Sequence, residues 1–165
     1  MDKELDFYID IEYDGNINGF DCGFEVFNEY LKHKILDDKA VIHFIINSEN
    51  DDVIAYFSLL ASCIFLNNYE DSNVIPAIEL KMFAVDKKYR GLNLGVRLLE
   101  DITDVVKKYS LECVGAKALI LYSVPAGKVV EMYESSGFVK MPEEYSMYKS
   151  YFSDGCISMY KPISR

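Results

Sequence analysis

The chain has 165 residues, 50% of them hydrophobic, with 17 Lys and Arg against 27 Asp and Glu, which gives a net charge of -10 and a pI near 4.6. This length suits one domain, residues 1–165, with enough apolar material for one sizeable core. The acidic balance argues against nucleic acid as a partner, because phosphate binding draws on clustered cations, and no apolar run reaches membrane-spanning length.

Cys22, Cys63, Cys113 and Cys156 lie far apart without a Cys-x-x-Cys pair, and His33 and His43 are the two histidines, so neither a metal cage, a disulfide framework nor a Ser-His-Asp triad is expected. The first six residues lack the basic start and apolar centre of a signal peptide, and the expected location is cytoplasmic. An acidic surface would steer cationic acceptors such as amines, although it equally reads as simple solubility.

In chain order, Leu5 to Tyr13 alternates as a first strand, with Phe7, Ile9 and Ile11 on one face and Asp14-Gly15 as its stop. Phe20, Phe24, Phe27, Tyr30 and Leu31 recur at helical spacing and predict a helix over 20–33 with Asp21 as N-cap. Ala40 to Asn47 and Val53 to Leu66 are β-rich runs joined by a polar pentapeptide, which predicts an antiparallel hairpin. A polar loop over 67–73 and Pro76 then precede the stretch around which the chain is organised.

That stretch runs from Ile78 to Glu100. Ile78 to Val85 reads as a largely buried strand, and Asp86 to Tyr89 interrupts it. Arg90-Gly91-Leu92-Asn93-Leu94-Gly95 follows, with the residues that most cheaply take positive φ, and a helix begins behind it. Free amides, the positive helix end and the Arg90 cation together predict a site for a phosphorylated cofactor. Leu94, Leu98, Leu99, Ile102, Val105, Val106 and Tyr109 form one apolar face of this helix. Ala118 to Val124 is the next buried strand, which a strand-helix-strand unit requires to be parallel to the first. A short helix over 128–136 is stopped by Gly137, a strand begins at Phe138 to Met141, and Cys156 to Tyr160 is the last strand.

At two places the chain resembles the GNAT superfamily of N-acetyltransferases. Ala84-Val85 before Arg90-x-x-Asn93-x-Gly95 is similar to the family's Arg/Gln-x-x-Gly-x-Gly/Ala loop, with Asn93 in place of the first glycine. Tyr133-Glu134-Ser135-Ser136-Gly137-Phe138 is similar to its Tyr-x-x-x-Gly-Phe, while Ala126 stands where the family often has asparagine. The resemblance implies an α/β fold with a mixed, mostly antiparallel sheet of about six to seven strands and helices on both faces. It implies acetyl-CoA as co-substrate and no metal. Met82, Phe83, Ala84 and Val85 would meet the pantetheine arm, and Arg90, Gly91, Leu92, Asn93, Leu94, Gly95 and Val96 the pyrophosphate. Tyr133 would donate a proton to the departing thiolate. Glu79, six residues before Val85, stands where histone-type members carry a general base; the competing reading is a charge at a strand end, facing solvent or paired with Lys81.

The expected activity is acetyl transfer to a small-molecule or peptide amine by direct attack, and a homodimer is compatible with the sequence. Phe20-Asp21-Cys22-Gly23 and Phe27-Asn28-Glu29-Tyr30-Leu31 also resemble the opening of GNAT toxins that acetylate aminoacyl-tRNA, a reading against which the net charge of -10 speaks. Asn93 and Ala126 motivate a third reading, a CoA-binding interaction module without turnover.

Overall fold

Runs such as Val-Ile-His-Phe-Ile-Ile and Val-Ile-Ala-Tyr-Phe-Ser are rich in β-branched and aromatic residues, which fit a pleated and mostly buried surface, and they form strands. The computed structural model describes residues 5–33, 39–66, 74–91, 93–147 and 155–163. Its strands are β1 (Phe7–Asp10), β2 (Val41–Asn47), β3 (Val53–Leu66), β4 (Val74–Val85), β5 (Ala118–Ser123), β6 (Val139–Lys140), β7 (Tyr145–Met147) and β8 (Ile157–Pro162). They make a mixed eight-stranded sheet in the order β1-β2-β3-β4-β5-β8-β6, with β7 paired to β3. The helices among the described residues are α1 (Glu25–Lys32), α2 (Leu94–Tyr109) and α3 (Gly127–Ser135). The chain groups into two units, Met1–Leu60 with Lys81–Leu92 and Ala61–Leu80 with Asn93–Arg165, so β3 and β4 each contribute to both.

In the first unit β1 runs antiparallel to β2, and β2 antiparallel to β3 with a register shift between Ile45 and Ile46. Asp51 turns the β2–β3 connection with a φ of 60°, a conformation aspartate tolerates better than most side chains. The core gathers Tyr13, Phe20, Cys22, Leu31, Phe44, Ile46, Tyr56, Met82 and Ala84, with Phe27 and Tyr30 of α1 packed against it. The Tyr56 hydroxyl, inside that core, donates to the Phe27 carbonyl at 2.7 Å, which ties the helix to the sheet.

Helix α1 is shorter than its periodicity predicts, and Asp21 is not its cap. The helix starts at Glu25 with Phe24 at the N-cap and no side-chain cap. The Asp21 carboxylate instead accepts the Gly23 amide at 2.7 Å, an Asx-type turn, and Gly23 takes a φ of +75°. That local turn diverts the chain before the aromatic repeat can coil.

In the second unit β5 lies parallel to β4, with Ala77 opposite Ala118 and Glu79 opposite Ile120, as a strand-helix-strand crossover demands. β8 pairs antiparallel with β5 from Ala118–Pro162 to Ser123–Ile157, and β6 pairs with β8. Leu98, Leu99, Ile102 and Val106 on α2 are fully buried, each contributing about 1.5–3 kcal/mol by removal from water. α2 continues into a single π-type turn over Ser110–Val114, closed by Gly115 at φ +68°. β7 is the strand without a sequence signal: three residues that pair with the end of β3, Ile64 opposite Met147. The predicted 67–73 loop lies outside the described residues.

Candidate active site

In the first unit, β4 ends at Val85 and Asp86 stops it. The Asp86 carboxylate, 2% exposed, accepts the Lys88 amide at 2.8 Å and the Asp21 amide at 2.9 Å. This caps a short 3-10 turn, Lys87–Tyr89. The Lys87 amide donates to the Asp21 carbonyl at 2.9 Å, and its ammonium pairs with the Asp21 carboxylate. Arg90 follows, exposed, its guanidinium donating to the Cys22 carbonyl. Met82 and Ala84 are buried in the core, whereas Phe83 and Val85 are half-buried. Gly91 has a φ of +112°, which favours glycine strongly.

The second unit resumes at Asn93, which adopts the left-handed conformation (φ 56°, ψ 25°) immediately before α2. The substitution for the family's glycine therefore keeps the turn, because asparagine takes this region at little cost. The Asn93 carbonyl accepts the Val96 and Arg97 amides at 3.0 and 3.1 Å, which starts the helical ladder and leaves Leu94 and Gly95 as first-turn amides. Gly95 is not needed for positive φ, contrary to what the loop pattern predicts; a Cβ there would stand 3.0 Å from the Met132 sulfur, so its smallness serves the approach of α3 to α2. Leu92 lies outside the described residues.

Glu79 faces inward. It is 2% exposed, which corrects the reading of a solvent-facing strand end. On β4 it shares a face with Ile75 and Ala77, which pack among Ala118, Ile120 and Tyr122. Burial pushes its carboxyl up to about 7, and a hydrogen bond with the Ser62 side chain opposes that rise. Tyr122 is pushed up to about 12, first by burial and then by the Glu79 charge, so Ser62 and Tyr122 are neighbours that the sequence reading missed. Position parity on β5, two residues beyond Ile120, was the available signal for Tyr122.

Tyr133 on α3 is buried and stands edge-on to Phe138, ring centroids 5.7 Å apart at 72°. Burial raises its hydroxyl well above the ordinary tyrosine value, so it stays protonated through the neutral range. The Phe138 amide donates to the Tyr133 carbonyl at 3.0 Å across Gly137, whose φ of +85° explains the glycine between them. Ala126 is the N-cap of α3 without a side-chain bond.

A family model for the acetyltransferase (GNAT) domain matches residues 10–152. The chain belongs to the GNAT acetyltransferases. It is an acetyl-CoA-dependent N-acetyltransferase, with acetyl-CoA as co-substrate. No curated protein sequence matches it. Solved structures of similar fold include AtaTR bound with AcCoA, at 22% identity and a TM-score of 0.72 over 96% of this chain and 94% of that one. AtaT complexed with acetyl-methionyl-tRNAfMet is 22% identical with a TM-score of 0.69, over 87% of this chain and 94% of that one. The KacTA–DNA complex is 23% identical with a TM-score of 0.71, over 96% and 94% respectively. At these identities the likeness is one of fold.

Two of these neighbours are complexed with nucleic acid, and this overturns the expectation, drawn from the charge of -10, that nucleic acid is not a partner. The physical reason is that net charge sums the whole surface, whereas phosphate contacts depend on where a few cations stand. Among the described residues, no group of three or more His, Cys, Asp and Glu side chains could hold a metal ion, and no helix is long and apolar enough to cross a membrane.

Proposed function

We propose that this GNAT acetyltransferase transfers the acetyl group of acetyl-CoA to a primary amine by direct attack, with Glu79 as general base and Tyr133 as general acid. The observation that carries the reading is Glu79, an inward carboxyl in the middle of β4 whose burial lifts it to about 7. A base at that value takes a proton from an incoming ammonium near neutral pH and still releases it afterwards. Tyr133, kept protonated by burial, supplies a proton to the leaving sulfur.

The residues fit the co-substrate. Arg90 keeps its charge against a neutral carbonyl, Gly91 and Asn93 take positive φ, and the Leu94 and Gly95 amides open α2. Each of these groups suits a phosphate oxygen on its own account, Arg90 and Gly91 in the first unit and the α2 amides in the second, and Met82 to Val85 would lie along the pantetheine arm. Acetyl-CoA supplies the activated acyl thioester. A second reading names the amine as the α-amino group of an aminoacyl-tRNA; it is favoured by the fold shared with AtaT complexed with acetyl-methionyl-tRNAfMet and by the Phe20-Asp21-Cys22-Gly23 opening.

Calorimetric titration with acetyl-CoA, then thiol release with simple amines, polyamines, peptides and aminoacyl-tRNAs, tests both readings. Micromolar-class binding, about -8 kcal/mol, with turnover on at least one amine is expected. Absence of binding at millimolar acetyl-CoA would end the site reading, and turnover on small amines alone would end the tRNA reading.

A further inference from the structure

We propose that Asp21, outside the Arg90-x-x-Asn93-x-Gly95 pattern, is a positioning residue that sets acetyl-CoA affinity by holding the 86–90 loop and the Arg90 guanidinium in place; this rests on the pyrophosphate role proposed for that loop. The observation is a closed hydrogen-bond circuit between two segments 65 residues apart in sequence. From one side, the Asp21 carboxylate accepts the Gly23 amide at 2.7 Å and the Asn28 side-chain amide at 3.0 Å, and pairs with the Lys87 ammonium. The Asn28 side chain completes the turn by accepting the Cys22 amide at 3.0 Å. From the other, the buried Asp86 carboxylate accepts the Asp21 amide, and the Asp21 carbonyl accepts the Lys87 amide. Cys22, whose carbonyl receives Arg90, sits inside this circuit. The guanidinium is therefore held by a carbonyl whose own position Asp21 and Asn28 dictate.

The circuit also sorts the cations of the loop. Lys87 is matched with the Asp21 carboxylate, while Arg90 is matched with a neutral acceptor and retains its full charge toward an anion. Gly23 belongs to the same arrangement: a Cβ there would lie 3.9 Å from both terminal nitrogens of Arg90, and its φ of +75° disfavours any side chain.

Two physical effects of removing the Asp21 carboxylate have opposite signs, which makes the inference decidable. As a plain negative charge near a bound polyanion, Asp21 only repels, and its removal would tighten acetyl-CoA binding about twofold through water. As the holder of the Cys22 carbonyl, its removal loosens Arg90 and weakens binding. Loss of the geometry outweighs the repulsion because the repulsion acts through solvent, whereas charged hydrogen bonds depend steeply on position.

The test is acetyl-CoA titration and steady-state kinetics on wild type, Asp21→Ala, Asp21→Asn, Arg90→Gln and Asp21→Ala/Arg90→Gln, using an acceptor found in the panel above. Expected are about a tenfold rise in Kd and KM for acetyl-CoA in Asp21→Ala and a smaller rise in Asp21→Asn, which keeps a neutral acceptor for Gly23. kcat and the acceptor KM should stay within about twofold, and Asp21→Ala should add less than about twofold on top of Arg90→Gln, since both act through one guanidinium. Unchanged or tighter binding in Asp21→Ala, or full additivity in the double variant, overturns the inference. If Asp21→Ala fails to fold, Asp21→Asn decides by the same sign. Failure of the wild type to bind acetyl-CoA is the separate outcome that removes the site reading and this inference with it.

Discussion

Replacement of Glu79 by Gln should make the protein more stable at neutral pH and inactive, and the size of the gain follows from burial. An ordinary glutamate value of 4.5 and the folded value of about 7 bound the window. Below the lower value both folded and unfolded chains carry the proton, and Glu79 imposes no cost. As pH rises through the window the unfolded chain loses the proton first, so the unfolding free energy falls; above about 7 the full cost of a buried carboxylate is present. The interval corresponds to about 3 kcal/mol. For a chain of 165 residues that is roughly 6–12 °C in Tm.

Glutamine keeps the shape and the hydrogen bond to Ser62 but does not titrate. The stability difference, variant minus wild type, should therefore be smallest near pH 4 and widen by about 3 kcal/mol by pH 8, as read from urea unfolding of both proteins at fixed ionic strength. Every other carboxylate titrates in both proteins and cancels in the difference. A gap that stays constant within about 0.5 kcal/mol across that range would refute the claim that folding desolvates Glu79. The gain in stability with loss of turnover is what a strained catalytic group produces.

Tyr133→Phe, which keeps the edge contact with Phe138, should lower kcat about 10²–10⁴-fold while acetyl-CoA affinity stays within about twofold, read by steady-state kinetics and calorimetry. Gly95→Ala should cost under about 1.5 kcal/mol, because the Met132 sulfur 3.0 Å away ends a flexible side chain, whereas Gly95→Val should cost about 1–3 kcal/mol by overpacking α2 against α3; urea melts separate the two. Asn93→Gly should keep both fold and acetyl-CoA binding, since glycine takes the φ of 56° freely, and Asn93→Val should cost about 1–2 kcal/mol in the same melts.

Periodicity was sufficient wherever one residue period ran uninterrupted over a buried face. β3 and α2 have the bounds their patterns predict, Val53–Leu66 and Leu94–Tyr109, because most of the apolar residues of each are buried along an unbroken run. Where a side chain competes with the backbone the pattern misleads. The aromatic repeat from Phe20 continues at helical spacing, yet Asp21 bonds the Gly23 amide and the helix waits until Glu25. β4 begins at Val74, before Pro76, earlier than the apolar run implies. β7 left no trace, since three residues are too few for a period and their pairing with β3 is a long-range choice. The motif pattern picked out Arg90, Asn93 and Tyr133 as candidates; it did not give the partners Asp21, Asp86 and Ser62, because hydrogen bonds between distant segments have no signature in spacing, whereas Tyr122 was open to parity on β5.

One physical cause separates the two proposed catalytic roles. Burial raises Glu79 and Tyr133 alike, and the consequences diverge because their ordinary values differ. A carboxyl starting at 4.5 is carried into the neutral range, where it exchanges protons, while a phenol starting at 10.0 is carried further out of it and holds its proton. The pair therefore predicts a one-sided pH profile: kcat rises through about 7 as Glu79 ionises, with no fall from Tyr133 within the range where the protein is folded. His43 adds no competing limb, since burial against Phe57 lowers it and keeps the imidazole neutral through the rise. A rise that survives in Glu79→Gln, measured on the bound complex so that the free amine's own ionisation drops out, would move the base to another residue or to solvent.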